Sequence, residues 1–184
     1  GAHGIANAMD TIMEAMRLLQ QNGDSRAYLL MVGNGPEKPK LMAEAEEWQL
    51  DNVNFFESVP KNAVPKVLKA IDIAILSTRK SELYKYGTSV NKLFDYMAAA
   101  RPVILGADVA DNPVILAECG ITLRPENSEE MAGAIKELCD MSAQQRAAMG
   151  ARGCEYVTRY HSVPNLVDKL LRVIEDSDTG GKDP

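Results

Sequence analysis

At 184 residues, 46% hydrophobic and 25% charged, the chain is long enough for one ordinary domain with a buried core and too mixed in composition to be disordered. Its 26 acidic residues outweigh 20 basic ones, and the net charge of -6 argues against a general affinity for nucleic acid or an anionic membrane. No apolar run approaches the roughly 18 residues of a membrane span, and the first residues lack the basic start and apolar core of a signal peptide, so a soluble domain is expected.

Apolar residues Ile5, Met9, Ile12, Met13, Met16 and Leu19 recur at helical spacing and predict an opening helix that closes near Gly23. Residues 27–32 are a continuous apolar run into Gly33-Asn34-Gly35-Pro36, the pattern of a buried parallel strand ending in a tight loop. A helix over 37–48, a short strand over 52–56, a helix over 64–70 and an apolar strand over 71–76 follow. Beyond a polar stretch over 77–90, a helix is predicted over 91–100 and a strand over 102–106. A helix over 111–118, a strand over 120–123 and a helix over 128–138 capped by Ser128 continue the alternation.

Such repeated exchange of strand and helix specifies an α/β fold, a Rossmann-like doubly wound parallel sheet with helices on both faces. Two extra C-terminal helices, over 143–160 and 164–174, come without another strand, and the polar residues 175–184 read as a loose tail. Residues 1–174 are therefore expected to form a single domain. A doubly wound fold starts with a strand, yet Gly1-Ala2-His3-Gly4 leads almost directly into a helix, as if the first strand were cut short in a fragment.

The cysteines Cys119, Cys139 and Cys154 are odd in number and widely spaced, and read as reduced thiols that pack in a cytoplasmic protein. His3 and His161 lie at opposite ends of the sequence, leaving little material for a zinc site or a serine triad.

In open parallel sheets ligands gather at the carboxyl ends of strands, where loops lead into helix N-termini. Three loops there are rich in glycine or small polar groups: 1–7, 33–36 and 84–92. Gly33-Asn34-Gly35 follows a strand, but Lys38 stands where a dinucleotide fingerprint needs its third glycine, so NAD is disfavoured. A tight turn and direct ligand contact both stay open for that loop, and Pro36 suits the first turn of the next helix.

The segment Tyr86-Gly87-Thr88-Ser89-Val90-Asn91-Lys92-Leu93-Phe94-Asp95-Tyr96-Met97 is more informative. Leu93, Phe94 and Met97 can face the sheet, while Asn91 and Asp95, one turn apart, share another face near the helix start. Free amides at that end together with Lys92 suit an anion such as a diphosphate, and Asp95 can accept hydrogen bonds from both hydroxyls of a ribose. The plainer alternative is a solvated Lys92 with Asp95 stabilising the helix dipole. Tyr84 and Tyr86 stay open between packing and sugar contact.

The order of Leu29-Leu30-Met31-Val32-Gly33-Asn34-Gly35-Pro36-Glu37, Asn52-Val53-Asn54-Phe55-Phe56 with Val59-Pro60, Ile71-Asp72-Ile73-Ala74, and the block from Tyr86 to Ala99 with Arg101-Pro102-Val103-Ile104 resembles the C-terminal domain of group 1 (family 4) glycosyltransferases. The resemblance spans nearly the whole chain. Its central block is most similar to the bacterial surface-polysaccharide branch that adds amino sugars. It implies one half of a GT-B fold, the half that holds a nucleotide-sugar donor across a cleft from a second domain.

In that family two spaced glutamates bind the donor sugar and the ribose. The second falls on Asp95 and the first on Gly87, so the sugar contact is absent or passes to Tyr86, Thr88 or Ser89. Where relatives place Arg and Lys early in the domain to hold the pyrophosphate, this chain has Gly4 and Asn7, with Lys92 to compensate. Val59, Pro60 and Lys61 match the turn that contacts the base through backbone groups, and a UDP-sugar is expected ahead of a GDP-sugar. Gly33, Asn34, Gly35 and Asn91 complete the implied donor contacts.

By the same resemblance, transfer retains anomeric configuration and uses no metal or other cofactor. The acceptor site belongs to an N-terminal domain outside this chain, so no catalytic residue is expected here and the isolated chain should transfer nothing. The implied product is a surface polysaccharide or lipid-linked oligosaccharide, made in the cytoplasm or peripherally at the cytoplasmic face of the inner membrane. Asp176-Ser177-Asp178 has the spacing of metal-dependent sugar transferases but sits in the polar tail and is read as chance. A nucleotide-sugar epimerase would need a histidine and acid set that His3 and His161 do not supply. A receiver-like or flavodoxin-like interaction domain is the non-catalytic alternative, although Asp72 stands alone where a receiver clusters aspartates.

Overall fold

The computed structural model describes residues 1–82, 84 and 91–179, with side chains through 175. A 3-10 turn, Ile5–Asn7, precedes α1 (Met9–Gln21), followed by β1 (Leu29–Val32), α2 (Lys38–Glu47) and β2 (Val53–Phe56). A second 3-10 turn, Lys61–Ala63, runs into α3 (Val64–Ala70), then β3 (Ala74–Ser77), α4 (Asn91–Ala98), β4 (Val103–Gly106), α5 (Pro113–Leu116) and β5 (Gly120–Leu123). Three helices close the chain: α6 (Ser128–Asp140), α7 (Ala143–Tyr160) and α8 (Val163–Thr179).

Among the described residues every strand pairing is parallel, as the alternation of apolar strands and amphipathic helices requires. Leu29 pairs with Val53, Ala74 with Val103, and Val103 with Gly120. The strands form two sheets, β1-β2 and β3-β4-β5. β4 is buried along its length and its side chains alternate between two cores. Ile104 joins Met13 and Met16 of α1 and Met131, Ile135 and Leu138 of α6. Val103 and Leu105 join Leu76, Leu93, Met97, Val114 and Cys119 on the opposite face. Burial pushes the Cys119 thiol up to about 11, and all three cysteines are free.

Several local expectations shift. The cap of α6 is Asn127, whose Oδ1 accepts from the Glu130 N–H at 2.9 Å, so Ser128 is already helical. Asparagine reaches that amide from an extended backbone as well as serine would, and the sequence holds both in succession. Pro36 lies in the turn before α2, and Pro39 occupies the helix's first turn. Leu93 and Met97 are buried, but Phe94 stacks on His161 with ring centroids 4.6 Å apart, toward the end of α7 instead of the sheet. α8 continues through 175–179, and Val163, Leu166, Val167, Leu170, Leu171 and Ile174 form an exposed apolar stripe on it. Asp176 to Asp178 fall in its last turn.

An ionic clamp fastens the amino-terminal loop to the strand ends. Arg79, two residues beyond β3, donates to Asp10 at 2.7 Å, to Glu126 at 2.9 Å and to the Ile5 carbonyl at 3.2 Å. The Lys80 N–H also donates to Glu126, at 2.8 Å. Loops from α1, β3 and β5 are thereby tied at one end of the sheets.

Helix glycines give opposite expectations. At Gly133, exposed on α6, an added Cβ meets nothing, so Gly133→Ala should stabilise by about 0.5–1 kcal/mol and raise Tm by about 1–4 °C. At Gly150 on α7 the Cβ would overlap the Ala100 carbonyl, and backbone cannot rotate aside. Overpacking of about 1–3 kcal/mol outweighs the gain in helix propensity there, so Gly150→Ala should melt below the parent. A Gly150→Ala Tm at or above the parent value would show that α7 does not pack this closely.

The clamp also predicts an acid dependence. The Lys80 amide, and then the Arg79 guanidinium, hold the Glu126 carboxyl below its usual range. A depressed carboxylate contributes stability that is present above its unfolded value of about 4.3 and is lost as pH falls through its lower folded value. Urea midpoints measured between about pH 5 and 3 should therefore fall more steeply for the parent than for Glu126→Gln, whereas parallel curves would remove the clamp from the stability account.

Candidate functional site

The amino end of α4 is built around a half-buried lysine. Lys92 Nζ donates to Asn7 Oδ1 at 2.8 Å, and Asn7 Nδ2 donates to the Ala2 carbonyl at 2.9 Å, which fixes the oxygen of that amide toward the lysine. The Asn7 carbonyl accepts from Ser77 Oγ at 2.6 Å, so the end of β3 holds the same residue from beneath. Burial lowers the Lys92 amine below the ordinary lysine range. Desolvation that disfavours the charged form is the penalty an incoming anion would relieve. An ammonium has three donors, and the Asn7 contact takes one of them.

Asp95, one turn further along α4, is exposed and lines the same cavity as Lys92. That cavity encloses about 700 Å³. Its polar rim lies at the carboxyl ends of β1 and β3 and includes Asn7, Gly33, Val59, Lys92 and Asp95. These five expected site residues are brought together. Gly4, Asn34, Gly35, Pro60, Lys61 and Asn91 do not line it, while Tyr86, Gly87, Thr88 and Ser89 lie outside the described residues.

The glycine loop after β1 has a structural duty. Gly33 and Gly35 have φ of 143° and 158°, and a Cβ on either would overlap the carbonyl of Gly1 or His3 respectively. The missing side chains let residues 1–3 run alongside β1, and only Gly33 of the two also lines the cavity. Asn34 is occupied elsewhere, donating to Glu57 at 2.9 Å and accepting from Lys38 at 3.0 Å. Val59 reaches the rim from the loop after β2, and Pro60 precedes the exposed Lys61 in the 3-10 turn.

Two residues of this neighbourhood were not singled out from sequence as part of the site. His3 is buried at the cavity edge, its carbonyl accepts from the Glu37 N–H at 3.0 Å, and its Nδ1 is buried without a hydrogen-bond partner. Burial lowers its pKa first, and the Gly1 amine, Lys38 and Lys92 lower it further, which marks an electropositive corner. Arg79 positions the loop that carries Asn7; its place just past a strand's carboxyl end was the available signal. Among the described residues, no group of three or more His, Cys, Asp or Glu side chains could hold a metal ion.

Solved structures share this fold at low sequence identity. HepE from Anabaena, in complex with UDP, superposes with a TM-score of 0.77 at 14% identity over 96% of this chain and 47% of that one. TarM from S. aureus, in a complex that includes UDP, gives 0.76 at 17% identity over 94% of this chain and 34% of that one. The C-terminal domain of a group 1 family glycosyl transferase, LpcC from Francisella tularensis, gives 0.69 at 19% identity over 89% and 84%. The chain thus spans between a third and a half of the length of HepE and TarM. No curated protein matches it in sequence. Residues 2–141, well over half of the chain, match the family described as "Glycosyl transferases group 1", and with the Rossmann-like fold of a GT-B half this chain belongs to the group 1 glycosyltransferases.

Proposed function

We propose that the chain is the donor-binding domain of a retaining, metal-independent glycosyltransferase that takes a nucleotide sugar, a UDP-sugar ahead of a GDP-sugar. The carrying observation is a half-buried lysine and an exposed aspartate one turn apart at the amino end of α4, on the rim of a cavity of about 700 Å³, in a chain of this family. Lys92 and the first amides of α4 take the diphosphate, Asp95 takes the ribose hydroxyls, and Val59 with its neighbours takes the base. In transfer the bond between the anomeric carbon and the diphosphate oxygen breaks as an acceptor hydroxyl bonds to that carbon. Negative charge grows on the departing diphosphate, where the cation and the amides are aimed.

The acceptor and any acid or base come from a second domain facing this one, so the isolated chain binds donor and does not transfer. The product class is a bacterial surface polysaccharide or a lipid-linked oligosaccharide, made at the cytoplasmic face of the inner membrane, with amino sugars as the transferred unit. Among the described residues, no helix is long and apolar enough to cross a membrane.

Calorimetric titration tests the reading. UDP should bind, and Lys92→Ala and Asp95→Ala should each weaken it by about 1–3 kcal/mol with folding intact. Affinity should also fade on the alkaline side before the ordinary lysine midpoint near 10.4, because the protonated Lys92 is the binding form and burial has lowered its pKa. No heat from UDP or GDP up to millimolar concentration, or unchanged affinity in both variants, would place the donor elsewhere.

A further inference from the structure

His3 is a buried polar side chain at the edge of the cavity, and its backbone is pinned on both sides. The N–H donates to the Asn34 carbonyl at 2.8 Å, and the carbonyl accepts from the Glu37 N–H at 3.0 Å. The residue is 1% exposed and lines the cavity, yet its Nδ1 has no hydrogen-bond partner among the described residues. An unpaired buried nitrogen costs free energy, so a ring held in this way is suited to a partner from outside the chain.

The surrounding charges select the kind of partner. A Cβ built on Gly1 would stand 3.5 Å from Lys92 Nζ, so residues 1–3 and Lys92 share one corner of the cavity. The charges that act on the His3 ring are the Gly1 amine, Lys38 and Lys92, all of them cations. Of the neighbouring carboxylates, Glu57 is paired with Lys38 and Asp95 stands on the rim. Lys38 is saturated, since its three donors go to Asn34 Oδ1 at 3.0 Å, the Phe56 carbonyl at 3.1 Å and Glu57 at 2.8 Å. Lys92 gives one donor to Asn7 and keeps the rest. The diphosphate of a nucleotide sugar is a diester with a negative charge on each phosphate, and Lys92 balances one of them. A second cation at this corner would repel the first until the anion arrives, so a group that charges only then fits best.

We propose that His3 is that group: as the diphosphate binds, its imidazole takes a proton from solvent and the resulting Nδ1–H donates to a phosphate oxygen. The inference rests on the donor-binding reading of the same site and adds to it a proton taken up with each donor. Burial and the three cations keep the free ring neutral to lower pH than an ordinary histidine, and the bound anion reverses that bias. The protonated ring is the binding form, so affinity is greatest at low pH and is lost as pH rises through the value of the bound state.

The test uses UDP-glucose, whose diester phosphates do not titrate in this range as the terminal phosphate of UDP does near about pH 6. The chain contains two histidines, so ring NMR follows His3 directly, assigned with His3→Gln or His161→Gln. Bound UDP-glucose should raise the titration midpoint of the His3 ring by about one pH unit or more. Calorimetry in two buffers of different ionisation enthalpy should show proton uptake at about pH 7, which His3→Gln loses while still binding donor. Affinity should fall about threefold or more between about pH 6.5 and 7.5 in the parent and stay level in His3→Gln. A midpoint that the donor leaves unmoved overturns the proposal, and is the result expected if a water is the partner of Nδ1. Uptake retained in His3→Gln also overturns it, by assigning the proton to the Gly1 amine. Should His3→Gln fail to fold, the midpoint in the parent decides. No binding of UDP-glucose overturns the donor-binding reading as well, whereas binding with an unmoved midpoint overturns this inference alone.

Discussion

The architecture of the site depends on one close approach, that of residues 1–8 to the carboxyl ends of β1 and β3. On the β1 side the approach is possible because Gly33 and Gly35 lack side chains that would overlap the Gly1 and His3 carbonyls. On the β3 side it is fixed by Ser77 Oγ donating to the Asn7 carbonyl and by the Arg79 guanidinium gripping Ile5 and Asp10. Asn7 is held between these anchors, and its side-chain oxygen orients Lys92 across 85 residues of sequence. The cation at the mouth of the cavity is therefore oriented by a neutral amide whose own place is set by close backbone packing, a serine hydroxyl and the Arg79–Asp10 ion pair.

Much of the fold was legible because β1, β3 and β4 are largely apolar in succession, β4 being buried along its length, while the helices are apolar on one face. Continuous apolar runs such as Leu29 to Val32 and Val103 to Leu105 contrast with the 3.6-residue spacing of Ile12, Met16 and Leu19, and each contrast became an element. What failed was local choice among near-equal residues. Asn127 and Ser128 compete for one cap, Pro36 and Pro39 for one helix start, and hydropathy alone cannot show that Phe94 meets His161 across a tertiary contact.

The site was legible in a similar, partial way. Lys92 and Asp95 follow from helix geometry, since one turn places both near the same end. The pairing of Lys92 with Asn7 does not, because a contact between residues so distant in sequence is written in the packing. The glycine loop shows the reverse case. Gly33-Asn34-Gly35 carries a pattern often associated with ligands, yet two of its three residues are explained by room for a neighbouring backbone and the third by hydrogen bonds to the Lys38–Glu57 ion pair. Gly33 remains on the rim, so both duties fall on one position.

A half-buried lysine is well suited to a leaving group that gains charge. In water an ammonium is already solvated and gains little from a distant phosphate. Where burial has lowered its pKa, as at Lys92, the cation is under-solvated before an anion arrives and its attraction to that anion is screened less. That attraction grows as negative charge accumulates on the diphosphate, so on the proposed reading part of it appears only as the bond to the sugar breaks. Lowering a barrier requires this difference between bound donor and transition state, which a fully solvated lysine on the same helix would provide more weakly. The anchoring of Asn7 matters for the same reason: a fixed amide oxygen holds the ammonium in place before the charge arrives, so no reorganisation is needed when it does.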